Sequence, residues 1–223
     1  MNLPDGAFCL TEAHIESFYR DGYFYAEQLI SPETVHALNT AYDDEVSKVK
    51  SKEWTSLPFA EDGQTCLKTP YMVNIFEQVL GGPVRLWLGM YVVVIPGGKG
   101  LQWHQDNMYT HILGHMLNAF VALDTITTEN AGLWISPKSH LLGRQENLSE
   151  GDGHRRAADP ENPMACKEMK AGDAIIIHRE MLHHSKENKT KKVRRAFAFQ
   201  ISAANCRYAE TGKLLEDRDL LSS

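Results

Sequence analysis

Residues 102–106 read Gln-Trp-His-Gln-Asp. His104 and Asp106 lie two apart, and in a strand that spacing sends both side chains from the same face. Far downstream, Leu182-His183-His184-Ser185 follows the apolar run Ala174-Ile175-Ile176-Ile177, and Arg194 opens another strand-like run. Two imidazoles and one carboxylate make the facial set that holds non-haem Fe(II) and leaves coordination positions open for ligands. The chain is therefore a candidate oxygen-activating enzyme.

An H-x-D pattern alone is a weak signal, since ordinary surface strands produce it often. Three features strengthen it here. Trp103 precedes His104, as expected where a strand runs into a core. A second histidine-bearing strand follows after enough chain for a barrel to fold back, and a strand-borne arginine lies beyond it. The pattern does not choose the third ligand. His178 ends an apolar strand, His183 and His184 are adjacent and point in different directions, and His140 closes the turn Ser136-Pro137-Lys138-Ser139-His140. His111 and His115 are spaced as on a zinc helix, but His111-Ile112-Leu113-Gly114-His115 lacks the glutamate of H-E-x-x-H, so they read as incidental.

The elements that must position these residues can be read from periodicity and punctuation. Thr11 caps a helix carrying Ile15, Phe18 and Tyr19, which Asp21-Gly22 ends. Tyr23-Phe24-Tyr25 reads as a short strand. Ser31-Pro32-Glu33 starts a second helix that turns Val35, Leu38, Tyr42 and Val46 inward. Residues 51–69 read as a loop whose Trp54 and Phe59 could cover a site. A short helix around Val73–Leu80 stops at Gly81-Gly82-Pro83. Strands follow at Val84–Ile95, Leu101–Asp106, Leu117–Thr125, Gly132–Ser136, Ala174–His178 and Val193–Ser202. Pro96-Gly97-Gly98-Lys99-Gly100 is a turn without the phosphate-loop spacing. Residues 143–169 are polar and irregular, a loop or lid. Helices first and short strands after predict a mainly β fold with an α layer: one domain over residues 1–223, with a helical part at about 8–82 packed on a jelly-roll barrel at about 84–205.

In the last strand, alternation puts Val193, Arg195, Phe197, Phe199 and Ile201 on one face and Arg194, Ala196, Ala198, Gln200 and Ser202 on the other. The phenylalanine face suits packing on helices, and the small-residue face suits a barrel interior with room for a ligand. An arginine there can hold a carboxylate through two parallel hydrogen bonds, although an ordinary surface charge at a strand start reads the same way.

The chain has 223 residues with 43% hydrophobic content, enough to bury a core without disulfides or a structural metal. Its net charge of −6 argues against nucleic acid as a partner; the run Lys189–Arg195 reads as a solvated turn. Cys9, Cys66, Cys166 and Cys206 are scattered and read as free thiols in a reducing compartment. Apolar runs such as Val92–Ile95 are too short to span a bilayer and the N-terminus lacks a leader pattern, so a cytoplasmic protein without a membrane partner is expected. The sequence carries no signal of oligomeric state.

Taken together, Leu101–Asp106, Glu129–His140, Gly172-Asp173, His183-His184-Ser185, Asn188-Lys189-Thr190 and Arg194 resemble the phytanoyl-CoA dioxygenase family, as does the opening Phe18–Tyr23 with Leu29–Glu33. These are Fe(II)- and 2-oxoglutarate-dependent oxygenases with a double-stranded β-helix fold. The resemblance implies His104, Asp106 and His183 as iron ligands, Arg194 on the distal carboxylate of 2-oxoglutarate, and Ser185 as a supporting hydroxyl. Phe120 falls where some members carry a larger aromatic beside the cosubstrate, and Tyr109 and Met108 are candidates for contact with cosubstrate or substrate. The implied reaction uses 2-oxoglutarate and O2, releases succinate and CO2, and hydroxylates an unactivated C–H bond of a small metabolite, a natural-product intermediate or an acyl-CoA. Asp106 favours hydroxylation, because related halogenases replace that carboxylate by a small residue. The rival expectations are desaturation or cyclisation on the same scaffold, or a barrel that binds metal or metabolite without turnover.

Overall fold

A computed structural model of the chain describes residues 7–48, 56–58, 61–149 and 153–222. Along the chain run α1 (Glu12–Asp21), β1 (Tyr23–Ala26), α2 (Pro32–Lys48), β2 (Ser56–Pro58), α3 (Glu61–Leu67), α4 (Pro70–Leu80) and β3 (Val84–Val94). Then come β4 (Ile112–Leu113), β5 (Met116–Ala122), β6 (Leu133–Ile135), β7 (Met164–Ala165), β8 (Ala174–His178), β9 (His183–Ser185), β10 (Arg194–Ala203) and β11 (Arg207–Tyr208). An antiparallel sheet of order β1-β8-β5-β10-β3-β2 faces a smaller one of order β7-β6-β9, and the helices cover the outer face of the larger. This is the expected jelly roll with an α layer.

Side-chain alternation builds both layers. In β10, Phe197, Phe199 and Ile201 join the helix-side core, where Phe76 of α4 meets Phe199 with ring centroids 5.5 Å apart. Ala196 faces the other way, into the core shared with Leu133 and Ile135 of β6. The run Ala174-Ile175-Ile176-Ile177 is apolar throughout because β8 is covered on both faces: Ile176 meets the helix side, Ile175 and Ile177 the inter-sheet side. Pairing of β10 with β3 slips once: Gln200 faces Leu88 and Ile201 faces Leu86, so Trp87 is an extra residue on β3. Such a bulge re-aims side chains, and Trp87 and Leu88, though consecutive, both line the central cavity.

Three expectations are corrected. Leu101–Asp106 is not a continuous strand: His104 forms an isolated bridge with His183, and Asp106 opens a 3₁₀ turn to Met108. Residues 51–69 are not all loop, since β2 and α3 fall within them. Finally, α4 begins at Pro70 rather than near Val73, with the Thr69 hydroxyl accepting from the Met72 amide at 3.4 Å, a cap-and-proline start. Val35, Leu38 and Tyr42 are buried as expected. The Val46 side chain, Trp54 and Phe59 lie outside the described residues. Among the described residues all four cysteines are free, and no helix is long and apolar enough to cross a membrane.

One glycine fixes how closely the two sheets' connections approach. A Cβ on Gly100 would sit 2.1 Å from the backbone oxygen of Ser185. Gly100→Ala must therefore push the 100–104 segment off β9. Overpacking of this kind costs about 1–3 kcal/mol, and for a chain of this size each kcal/mol lowers the melting temperature by about 2–4 °C. Gly153→Ala, with open space around the added methyl, should leave the calorimetric midpoint unchanged.

Candidate metal and cosubstrate site

The segment bearing His104 is tied to β9 in both directions. The His104 amide donates to the His183 carbonyl and the His183 amide to the His104 carbonyl, each at 3.0 Å. The Ser185 amide donates to Leu101 O at 3.1 Å. Gln105, between the two motif residues, points the opposite way: its Nε2 donates to Gly143 O and Glu180 O, and its Oε1 accepts from the Gln145 amide at 2.6 Å. That anchor leaves His104 and Asp106 on one side, although the segment is not a continuous strand.

Each imidazole is oriented by a carbonyl. His104 Nδ1 lies 2.7 Å from Gln102 O, and His183 Nδ1 lies 2.9 Å from Met181 O. A carbonyl only accepts, so both rings carry a proton on Nδ1, which leaves Nε2 as the atom that can ligate. Both Nε2 atoms sit 3.7 Å from Asp106 Oδ1, and one ligand atom from each residue falls within 4.8 Å of the others. Burial, with His183 nearby, pushes His104 down to about 4, so its ring is neutral and ready to ligate. The second carboxylate oxygen is occupied. Asp106 Oδ2 accepts from Asn118 Nδ2 on β5 and from Gln200 Nε2 on β10 at 2.7 Å. Gln200 Oε1 accepts from Arg179 Nη1 at 2.6 Å, which fixes the carboxamide with its N–H toward Asp106. Arg179 is itself held by Asn107 Oδ1 and Thr110 O. Two imidazole nitrogens and a single free carboxylate oxygen fit an Fe(II) ion.

The same cavity, about 430 Å³, contains Arg194, Ser185, Phe120 and Tyr109. Arg194 is 1% exposed. Its Nη atoms donate to Val92 O and Ala131 O at 3.1 Å, its Nε has no partner, and its guanidinium lies 5.3 Å from the Phe120 ring centre. Burial drags it down to about 10, and no carboxylate among the described residues forms an ion pair with it. A desolvated cation with a spare donor is a receptor for a carboxylate. Ser185 Oγ accepts from the Leu101 amide at 3.1 Å, which leaves its proton to donate into the cavity. Tyr109 stands at the rim, 41% exposed, its ring 6.0 Å from that of His104. Met108 is buried against Trp103 and Leu182 instead and does not line the cavity.

None of the other candidate histidines joins the metal cluster among the described residues, although His184 forms part of the cavity wall. His184 packs on Trp103 at 4.1 Å between ring centres. His178 packs against His140 and Phe18, and His140 Nε2 meets Tyr19 O. His111 and His115 are exposed. Sequence reasoning missed Asn118, Gln200 and Arg179 as supports of Asp106. The usable signal was a polar residue inside an otherwise apolar strand, as in Leu117-Asn118-Ala119 and Phe199-Gln200-Ile201.

A model of the family described as phytanoyl-CoA dioxygenase matches residues 18–196. The chain belongs to the phytanoyl-CoA dioxygenase family. It is 31% identical over 129 residues to a phytanoyl-CoA dioxygenase of Arabidopsis thaliana, covering 54% of this chain and 46% of that one. It is 25% identical over 262 residues to phytanoyl-CoA dioxygenase domain-containing protein 1 of Danio rerio, covering 86% of this chain and 90% of that one. The chain thus spans under half the length of the first relative and most of the second. The epimerase SnoN, solved in complex with Fe3+, alpha ketoglutarate and nogalamycin RO, shares the fold with a TM-score of 0.77 at 19% identity over 91% of this chain and 87% of that one. Within this phytanoyl-CoA dioxygenase family member, the His104–Asp106–His183 cluster and the buried Arg194 face one cavity.

Two measurements check this geometry. Gln200→Leu removes an N–H from Asp106 and should weaken Fe(II) or Co(II) binding about 10–100-fold, the usual cost of losing an outer-shell partner, read by metal titration. Burial pushes His178 down to about 3, so its neutral ring contributes stability above pH 6.5 that is lost as pH falls from 6.5 toward 3. His178→Phe should flatten the fall in melting temperature across that window.

Proposed function

We propose that this protein is an Fe(II)- and 2-oxoglutarate-dependent dioxygenase that hydroxylates an unactivated C–H bond of a small molecule. The helical part at about 8–82 and the β core at about 84–205 would work as one catalytic domain. The observation that carries the reading is a single cavity lined by the His104–Asp106–His183 set and by a buried Arg194 with a spare Nε donor.

His104, Asp106 and His183 would hold the metal through two Nε2 atoms and Oδ1. Fe(II), once bound, supplies open coordination positions and the redox change that oxygen activation needs. Arg194 and Ser185 would grip the far carboxylate of 2-oxoglutarate. A charge-assisted pair in this water-poor setting is worth more than one at the surface. Phe120, Val92, Val94 and Leu133 wall that end with apolar groups, excluding water and confining the cosubstrate to one orientation. In the overall balance one oxygen atom goes to succinate and the other to the product, with loss of CO2. Asp106 fills the place that halogenases leave open, which supports hydroxylation.

The test is direct. Adding Fe(II) and 2-oxoglutarate to the protein without oxygen should give a visible charge-transfer band, and substrate with oxygen should then yield equimolar succinate. Arg194→Gln should raise the 2-oxoglutarate KM by about 10–100-fold, matching the 1.5–3 kcal/mol typical of a hydrogen bond to a charged group. A wild-type protein without the band would instead be a binding barrel without turnover.

A further inference from the structure

The cavity has more cationic groups than the proposed reaction uses. The protein carries a net charge of −6, yet four cations, Lys99, Arg179, Arg194 and Arg218, face the cavity against one carboxylate, Asp106. With Fe(II) on the triad and 2-oxoglutarate on Arg194, those charges cancel. Arg179 and Lys99 are left over, and Arg218 is paired only through a long, solvent-exposed contact with Asp217 at 3.5 Å.

Two of these gather at one end. The Arg218 guanidinium lies 4.3 Å and that of Arg179 5.2 Å from the ring centre of Trp87, the bulged residue of β3. Arg179 is 3% exposed, and burial lowers it to about 10. Its Nε, one Nη1 proton and one Nη2 proton go to Asn107, Gln200 and Thr110. A guanidinium has five N–H groups, so one on each Nη remains. The neighbouring acids are committed. Glu180 accepts from Asn107 at 2.9 Å, and Asp217 accepts from Tyr208 while standing 3.5 Å from Arg218 Nε, an atom without a hydrogen-bond partner. Both guanidiniums lie against one indole and line the same cavity, so an anion bound beside Trp87 meets cationic charge there. Arg194 and Gln200 point from the same face of β10 six positions apart, so this end is separated from the Arg194 end by the length of the cavity.

The geometry points to an anionic substrate: a compact molecule whose carboxylate, phosphate or phosphonate head sits on Arg179 and Arg218 beside Trp87, with its apolar body over Leu88, Met90 and Ala198. The cavity volume, about 430 Å³, lies toward the small end of ligand sites and must also hold the cosubstrate. The inference rests on Arg194 being taken by 2-oxoglutarate.

The experiment uses the whole chain loaded with Fe(II) and 2-oxoglutarate without oxygen. The charge-transfer band is recorded first, so failure of the cosubstrate reading shows itself before any ligand is added. Matched probes of four to ten carbons (carboxylates against their primary amides, alkylphosphonates against their dimethyl esters) are then titrated, and the shift of the band gives affinity. At least one anion should bind tenfold or more tighter than its neutral partner, and Arg218→Gln should erase that preference. Which anion series binds distinguishes carboxylate from phosphorus oxyacid. Equal binding of the pairs, preference retained in Arg218→Gln, or no anion bound while the band forms would each overturn the inference. Arg218 touches neither Asp106 nor Gln200, so loss of preference in its variant is not a consequence of disturbing the metal ligands.

Discussion

The reciprocal pair of backbone hydrogen bonds between His104 and His183 is the constraint on which the site depends. It joins two segments distant in sequence so that two imidazoles stand 4.2 Å apart between ring centres. Backbone pairing is independent of ligand, so the nitrogens are set before any ion arrives. Gly100 permits the approach, Gln105 anchors the motif from behind, and carbonyl acceptors choose each ring's tautomer. Pre-arrangement of this kind removes ordering cost from binding.

Desolvation is the second organising effect. Arg194 and Arg179 are both almost wholly buried, and both are held mainly by neutral oxygens. Keeping two guanidiniums in a protein interior opposes stability. The fold tolerates it because the helix-side core is large and built from well-packed aromatics such as Phe18, Phe76, Phe197 and Phe199. Stability made on one face of the large sheet offsets strain held on the other.

Much of this was legible in the sequence. The alternation in β10 separated Phe197 and Phe199 from Arg194 and Gln200 because the strand has a period of two and differs in chemistry between its faces. The triad could not be completed from spacing alone: His178, His183 and His184 all lie near the end of one apolar run, and only the pairing of β9 with the metal motif turns His183 inward. The family resemblance named that residue; the fold gives the reason. The Arg179–Gln200–Asp106 chain stayed hidden because its members are spread over three separate segments, and nothing local marks a glutamine as a carboxylate's partner. The late expectation for α4 had a simpler cause, since Thr69-Pro70 is a cap-and-proline start lying at the end of a stretch read as loop.

The bulge on β3 gives the two ends of the chamber different freedom to change. Residues before Trp87 and residues after it are out of phase, so insertions or exchanges near Val84–Leu88 can remodel the mouth while the register holding Arg194 against Val94 persists. A lineage could thus acquire new ligand preferences without rebuilding its oxidative machinery.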